Sequence, residues 1–271
     1  MTAILIILAV ILVLFILWIL AVRGRKGHEK LPALRSWNYA HRGLHGEGRP
    51  ENSMAAFRAA LEGGYGIELD VHLLADGNLA VIHDSSLKRT AGADVKIEEL
   101  TTEQLENYRL EGTDEKIPLF RDVLELFAGK APLIIELKVA GGNHAALTDA
   151  TCKMVDEYDI EYCMESFHPQ CVLWLKKNRP EIIRGQLTEN YFRSKTKLPV
   201  ILRFVLTHQL ENFLTVPDFV SYRCSDRKAF SNTLVRKIWG VQGVTWILKS
   251  QEDYDDAVAN GWIPIFEGFR P

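Results

Sequence analysis

The chain has 271 residues, of which 47% are hydrophobic and 25% are charged, and its formal net charge at pH 7 is −3. This length is ample for one large domain with a sizeable core. Nucleic-acid-binding proteins usually present a strongly basic face, so the near-neutral balance argues against that class of protein. We therefore expect no nucleic-acid partner.

The first segment along the chain, residues 3–22, is an uninterrupted apolar run. At about 1.5 Å per residue, a helix of this length crosses a hydrocarbon core of about 30 Å. The run therefore predicts a transmembrane helix over residues 1–23. A cleaved signal peptide is the alternative, disfavoured because no positive charge precedes the run and no Ala-x-Ala cleavage site follows it.

The next segment, residues 24–36, is a predicted linker with a basic border. The segment and its preceding residue contain one acidic residue, Glu29, and five basic residues, Arg23, Arg25, Lys26, Lys30 and Arg35. By the positive-inside rule we expect the N-terminus outside the cell and the rest of the chain in the cytoplasm. The protein would then be a single-pass membrane protein.

Residues 37–271 predict strands that alternate with helices. The predicted strands are 37–40, 66–73, 79–83, 133–139, 162–167, 182–187, 219–224, 243–248 and 263–266, and the predicted helices are 53–62, 119–127, 144–158, 169–178, 198–213, 231–239 and 251–260. Such alternation favours parallel strands with helical crossovers. If 79–83 is a hairpin extension of 66–73, eight strands remain, which predicts an α/β fold of the TIM (β/α)₈ barrel type.

A polar stretch without a clean strand pattern follows the second strand, at about residues 85–117. We interpret it as a small insertion between that strand and its helix. On its composition alone it is a surface excursion.

Polar residues interrupt the apolar pattern of two predicted strands. Glu68 and Asp70 are two residues apart on one strand and therefore point to the same face, and Glu136 interrupts another buried strand. Unpaired buried charges are costly, and three carboxylates that converge on one hard cation would remove that cost. These residues are the predicted ligands of Mg²⁺ or Ca²⁺.

Histidines and cations accompany these carboxylates near the ends of predicted strands. His41 and His83 each follow a short apolar run, with Arg42 after the first, and Lys138 follows Glu136 two residues later. Active sites of TIM barrels lie where the strands end. Residues of these types at that edge suit metal-assisted phosphoryl transfer. Among the other histidines only His72, on the strand face of Asp70, is kept as a further candidate.

The ordered motifs resemble those of the glycerophosphodiester phosphodiesterase family over about residues 38–271. The resemblance is carried by His41-Arg42-Gly43, Pro50-Glu51-Asn52-Ser53, Ala56-Phe57, Ala60, Ile67-Glu68-Leu69-Asp70-Val71, Asp76-Gly77, His83-Asp84, Leu87, Arg89-Thr90, Ile117-Pro118-Leu119 and Ile135-Glu136-Leu137-Lys138, with later echoes in Ser166-Phe167-His168-Pro169 and Trp246. The chain departs from the family at residues 263–271, which replace the usual Thr-Asp-x-Pro ending.

The resemblance implies a role for each residue. His41 and His83 would be the acid and base pair. Glu68, Asp70 and Glu136 would be the metal ligands, and Arg42 and Lys138 would bind the phosphate. Glu51 would orient a histidine or touch the substrate. The insertion at about residues 85–117 would help to cover the substrate, with a surface excursion as the alternative. Phe167 and Trp246 would line the pocket, with packing of the barrel as an equally good interpretation.

The implied reaction is hydrolysis of a glycerophosphodiester to glycerol 3-phosphate and an alcohol, either through a cyclic phosphate or by direct attack of water. Because the chain is expected to be membrane-anchored, two alternatives stay open. One is a lysophospholipase D-like activity on membrane lysophospholipids, and the other is a non-catalytic binding module at the membrane.

Overall fold

The computed structural model describes residues 2–194 and 196–271. Met1, at the start of the predicted membrane segment, and Lys195, within the predicted barrel, lie outside the described residues. The strands are β1 (Tyr39–His41), β2 (Gly66–Leu73), β3 (Leu79–Val81), β4 (Leu133–Leu137), β5 (Tyr162–Ser166), β6 (Arg184–Thr188), β7 (Phe219–Arg223), β8 (Gln242–Leu248) and β9 (Trp262–Phe266).

Helices connect these strands. They are α1 (Thr2–Ala21), α2 (Leu31–Arg35), α3 (Met54–Glu62), α4 (Lys88–Ala91), α5 (Thr102–Leu105), α6 (Phe120–Phe127), α7 (His144–Val155), α8 (Pro169–Asn178), α9 (Val200–Thr207), α10 (Asn212–Thr215), α11 (Phe230–Ile238) and α12 (Gln251–Ala259). Local signals set several of their starts. For example, the Ser53 hydroxyl accepts a hydrogen bond from the Ala56 backbone N–H and caps α3.

In the described part of the chain, eight parallel strands close into a ring, because β1 pairs with both β2 and β9. The short strand β3 pairs antiparallel with the end of β2 and lies outside the ring. The predicted TIM barrel and the hairpin extension of its second strand are therefore confirmed. All eight ring strands end at the same face, which we call the barrel mouth.

Two apolar layers support the barrel. On its outside, Ile67 and Leu69 of β2 pack with Phe57 and Phe127 of the surrounding helices. Inside its lower end, at the start of the strands, Tyr39 lies in a second cluster with Leu34 of α2 and other apolar side chains. The alternation along β2 thus leaves the intervening residues, Glu68 and Asp70, facing the barrel interior.

The segment predicted as a linker packs against the bottom of the barrel. Arg25 forms an ion pair with Asp218, and Arg25 Nη2 lies 2.8 Å from Asp218 Oδ2. The Tyr39 hydroxyl donates a hydrogen bond to the Leu34 carbonyl at 2.9 Å. Helix α1 precedes this segment and is apolar and long enough to cross a bilayer, a property that a signal sequence shares.

Residues 85–117 build a small body beside β3. Leu87, Ile97, Leu105 and Ile117 form a separate apolar cluster with Ala80 of β3. Thr101 and Gln104 cap α5 reciprocally. This segment thus carries its own small core next to the mouth.

Some predicted boundaries are wrong. The helix predicted over 198–213 is two helices, because Gln209 between them adopts the left-handed conformation with φ of +58°. The helix predicted to reach residue 158 ends at Val155, and the strand predicted over 79–83 ends at Val81. His83 therefore lies in the loop after β3.

Candidate active site at the barrel mouth

Three buried carboxylates meet inside the barrel near the mouth. Asp70 of β2 is in register with Glu136 of β4, and Glu68 lies one inward-facing position earlier. Their nearest ligand atoms lie within 4.8 Å of one another. Burial raises the pKa of Glu68 and Glu136, and the neighbouring carboxylates raise it further. A hard divalent cation fits this set, because it would supply the positive charge that stabilises the ionised carboxylates.

Two cations flank the carboxylates. Lys138 Nζ lies 2.8 Å from Glu136 Oε1 and 3.4 Å from Asp70 Oδ1, and Arg42 Nε lies 3.3 Å from Asp70 Oδ2. Burial opposes ionisation of Asp70, but Lys138 and Arg42 outweigh it and hold the pKa of Asp70 well below its usual range. Both cations sit beside the carboxylates, where phosphate oxygens could also reach them.

The backbone that presents Arg42 is constrained. Arg42 has φ of +54° directly after β1, and Gly43 follows with φ of +80°. A Cβ atom on Gly43 would lie 2.8 Å from a ring carbon of Phe57 and 2.9 Å from the Ala56 carbonyl carbon. The turn therefore requires glycine at this position. It brings the Arg42 backbone N–H to 3.2 Å from Glu68 Oε2.

Each candidate catalytic histidine is held by a carboxylate. His41 Nδ1 lies 2.6 Å from Glu267 Oε2, and His83 Nδ1 lies 2.6 Å from Asp84 Oδ1. With Nδ1 engaged, the Nε2 atom of each ring is the one available for proton transfer. His41 Nε2 points toward the carboxylates, 3.8 Å from Glu68 Oε2.

Both histidines are neutral at pH 7 in this arrangement. Burial lowers the pKa of His41, and Arg42 lowers it further against the opposing effect of Glu267. Burial, together with Lys138 and Arg42, lowers the pKa of His83 to about 4. A neutral imidazole can accept a proton, which a general base requires.

Glu51 contacts arginines. Its Oε1 atom lies 2.8 Å from Arg42 Nη1 and 2.6 Å from Arg89 Nη2. Arg89 also donates to Asp84, the partner of His83. Among the described residues, Glu51 thus acts on the histidines only through this chain of ion pairs.

Two aromatic side chains, Phe167 and Trp246, form a contact that we call the aromatic wall. The rings of Phe167 and Trp246 meet edge to face, with centroids 5.6 Å apart. The guanidinium of Arg223 lies 5.6 Å from the centroid of the Trp246 ring. Trp246 lies where the register between β8 and β9 shifts. The ring of Phe167, directly after β5, therefore packs on the ring of Trp246 within β8.

His72 lies on the same face of β2 as Asp70, but its side chain contacts a residue of the insertion. Its Nδ1 lies 2.6 Å from Glu98 Oε1, and its Nε2 lies 3.3 Å from the His83 carbonyl. This histidine therefore connects the insertion to the loop that carries His83.

Several polar residues of the site were not assigned roles from the sequence. Asn52 donates from Nδ2 to Asp70 Oδ2 at 2.8 Å. Its place in the Pro50-Glu51-Asn52 motif could have indicated a role in the site. Glu165 is buried beside Glu136, and burial together with that neighbour raises its pKa to about 8. It lies one position before the noted Ser166-Phe167 motif. Glu267 lies in the ending that departs from the family, so no motif pointed to it.

Comparison with known proteins places the chain among phosphodiesterases. The profile of the Glycerophosphoryl diester phosphodiesterase family matches residues 41–222. The chain is 35% identical over 161 residues to a glycerophosphodiester phosphodiesterase of Bacillus altitudinis, covering 55% of this chain and 65% of the relative. It is 35% identical over 140 residues to a lysophospholipase D of Rattus norvegicus, covering 47% of this chain and 43% of the relative.

The matches thus span less than two thirds of these relatives. In fold, the chain is similar to an Oleispira antarctica phosphodiesterase solved in complex with the product sn-glycerol-3-phosphate. The TM-score is 0.71 at 22% identity, over 87% of this chain and 94% of the other. Because the family profile covers most of the barrel in addition to this shared fold, the chain belongs to the glycerophosphoryl diester phosphodiesterase family.

Proposed function

We propose that this protein hydrolyses glycerophosphodiesters to glycerol 3-phosphate and an alcohol. The observation that carries the proposal is the convergence of a carboxylate cluster, two flanking cations and two carboxylate-held histidines at one barrel mouth. Family membership and the names of the relatives support it.

Glu68, Asp70 and Glu136 would hold Mg²⁺ or Ca²⁺. When bound, the cation supplies charge that polarises the phosphoryl group and stabilises the negative charge on the oxygens around phosphorus. Arg42 and Lys138 would bind the phosphate oxygens beside it, Arg42 through its planar fork of donors and Lys138 as a point charge.

The two histidines would move the protons. One neutral imidazole accepts the proton of the attacking hydroxyl as that oxygen bonds to phosphorus. The other imidazole first takes up a proton, which the negative charge of a bound phosphodiester favours, and it then donates that proton to the alcohol oxygen as the bond from that oxygen to phosphorus breaks. The attacking oxygen is either a glycerol hydroxyl, which gives a cyclic phosphate that water then opens, or water itself.

We also propose a division of the chain. Residues 1–23 would form a membrane helix, 24–36 a connecting segment packed on the barrel, and 37–271 the barrel with its insertion at about 85–117. The basic border around Arg23 and Lys26 supports a cytoplasmic barrel.

A second candidate activity is lysophospholipase D-like hydrolysis of membrane lysophospholipids. It is favoured by the apolar helix α1 and by the name of the rat relative. Turnover of lysophosphatidylcholine, compared with that of glycerophosphocholine under the same conditions, distinguishes the two substrates.

The catalytic proposal is tested with His41→Ala and His83→Ala variants, glycerophosphocholine, and Mg²⁺ or Ca²⁺ in parallel. We expect glycerol phosphate release to fall by about 10² to 10⁴ in each variant, because a general acid or base is removed. His28→Ala is the matched control, since His28 lies at the bottom of the barrel and contacts the Glu181 carbonyl. EDTA should abolish the activity of the unaltered protein. Near-normal turnover by either site variant would contradict the assignment, and a protein inactive with both cations would favour the binding module.

A further inference from the structure

Helix α1 follows the outside of the barrel from its bottom toward its mouth. At the bottom, Val22 is fully buried in a cluster with Val220 and Val241. One turn earlier, the Trp239 indole N–H donates to the Ile19 carbonyl at 2.8 Å. Further back along the helix, Trp18 meets Phe230 edge to face at 6.1 Å, and Phe15 stacks on Phe230 at 6.5 Å.

The contacts of Trp18 and Phe15 lie on the mouth side. Phe230 begins α11 shortly after β7 ends at Arg223, and the ends of the strands define the mouth. Trp18 also packs on Phe204 of α9, with centroids 6.4 Å apart. The end of α9 is held at the strand ends, because Thr188 Oγ1 donates to the Leu206 carbonyl at 2.9 Å. Residues of α1 that precede Phe15 therefore lead away from the mouth side.

Exposed apolar side chains lie on the segments that follow β6 and β7, and two of them, Phe204 and Phe230, contact α1. They are Phe192, Val200, Ile201, Phe204 and Phe230, which are 51%, 69%, 80%, 45% and 55% exposed, and we call them the apolar rim. Among the described residues outside α1, the exposed large apolar side chains fall within 192–238 except for Val258 on α12. In water, a patch of this kind is a liability and marks an interaction surface.

The position of α1 indicates what covers the rim. Trp18 and Phe15 precede the charged Arg23 by five and eight residues, or about 8 and 12 Å along a helix. If Arg23 lies at the lipid headgroups, Phe204 and Phe230, which contact Trp18, lie on the bilayer side of that level, in the interfacial layer or just below it. Interfacial helices bury their apolar faces to about 5–10 Å, which is a similar depth. Tryptophan is also the residue that favours this layer.

We propose that the apolar rim docks into the surface of the lipid bilayer that α1 enters, so that the barrel mouth opens against the membrane. The inference rests on the proposed membrane anchoring and phosphodiesterase activity. It deepens the second candidate activity above, because the headgroup of a phosphodiester with an acyl chain would enter the mouth while the chain stays in the lipid. The Phe167 and Trp246 wall then borders the path of entry.

The docking is tested by site-specific labelling of the full chain in vesicles of phosphatidylcholine with a minority of phosphatidylglycerol. Cys152, Cys163 and Cys171 are buried, so a Cys224→Ser background leaves few competing thiols. An environment-sensitive fluorophore is attached at Ile201→Cys and, as the matched control, at Val258→Cys. We expect a blue shift and several-fold quenching by nitroxide-labelled lipid at position 201, and neither at position 258.

Equal solvent exposure at both positions would overturn the docking. A blue shift at position 201 without quenching by the labelled lipid would also overturn it, because another protein copy would then cover the rim. These readouts do not depend on turnover, so they remain informative even if the proposed activity fails.

A Val200→Ser/Ile201→Ser double variant tests the consequence for substrate choice. We expect kcat/KM for lysophosphatidylcholine in vesicles to fall several-fold, while kcat/KM for soluble glycerophosphocholine stays unchanged. An equal effect on both substrates would refute the role of the rim in lipid delivery. Intact fluorescence results combined with no activity on either substrate would instead count against the proposed function alone.

Discussion

Glu267 connects the last strand of the barrel to the first. It follows β9, and its Oε2 atom accepts a hydrogen bond from His41 Nδ1 at 2.6 Å. Its Oε1 atom lies 2.9 Å from Lys249 Nζ, and His45 Nε2 lies 3.6 Å from Oε2. The hydrogen bond from His41, together with the nearby His45 ring, holds the pKa of Glu267 far below its usual range. An ionised carboxylate at this place fixes the orientation of the His41 ring and keeps its proton on Nδ1.

Replacing Glu267 should therefore impair the chemical step. We expect Glu267→Ala to lower kcat by roughly 10- to 100-fold with little change in KM, by analogy with the loss of carboxylates that orient metal-bound histidines. Glu267→Gln, which keeps an acceptor oxygen, should recover part of this loss. Steady-state kinetics with glycerophosphocholine measure the effect.

The control for this prediction is Glu252→Gln, because Glu252 is an exposed residue in the first turn of α12. Its kcat should equal that of the unaltered protein. A Glu267→Ala protein that keeps its kcat would show that His41 is oriented by other contacts.

At the scale of elements, the region between β6 and β7 departs most from its predicted form. The predicted single helix breaks at Gln209, whose Nε2 donates to Asn232 Oδ1 of α11 at 2.7 Å. After the break, Glu211 lies in a buried position directly before α10. Neither carboxylate oxygen of Glu211 has a hydrogen-bond partner among the described residues, and burial raises its pKa to about 8.

The buried Glu211 predicts a specific pH dependence of stability. Between the ordinary pKa of 4.5 and about 8, the folded state retains a proton that the unfolded state has lost. Folding therefore becomes less favourable as pH rises through this window. Glu211→Gln should raise the free energy of unfolding at pH 8 by up to a few kcal/mol and have little effect near pH 4.5.

Urea unfolding of the detergent-solubilised full chain at both pH values measures this difference. The exposed Glu62 at the end of α3 provides the control, because Glu62→Gln should leave the pH dependence unchanged. The same stabilisation by Glu211→Gln at both pH values would contradict a protonated Glu211 in the folded state.

At the scale of the whole molecule, α1 and the barrel form one packed arrangement. The chain leaves α1 at the bottom of the barrel, closes that end with α2, and enters β1. On the way, the Arg25 backbone N–H donates to the Pro217 carbonyl at 2.8 Å. This short path keeps the barrel near any membrane that α1 crosses.

The expected orientation can be tested in sealed, right-side-out cells. Because the basic border of α1 should stay on the cytoplasmic side, we expect the barrel to resist protease added from outside. It should be digested once the cells are permeabilised. Immunoblotting with a C-terminal tag follows the fragment, and digestion in sealed cells would place the barrel on the outer side.

Sequence alone was enough to predict the barrel and the meeting of Glu68, Asp70 and Glu136 inside it. The period of two along β2 places Glu68 and Asp70 on one face, and the alternation of strands and helices favours parallel strands. The long apolar run of α1 is likewise a property of consecutive residues. These properties depend on neighbouring residues, so they can be read without knowing the fold.

Other features depended on contacts between distant parts of the chain. His41 and Glu267 are 226 positions apart, and only closure of the ring between β1 and β9 brings them together. The split of the predicted helix at Gln209 depends on Asn232, and the course of α1 depends on its packing against Phe204 and Phe230. The sequence by itself thus determined the fold and the chemical groups of this protein. The tertiary structure decided how His41 is oriented and that α1 passes the mouth, because packing between remote segments sets both.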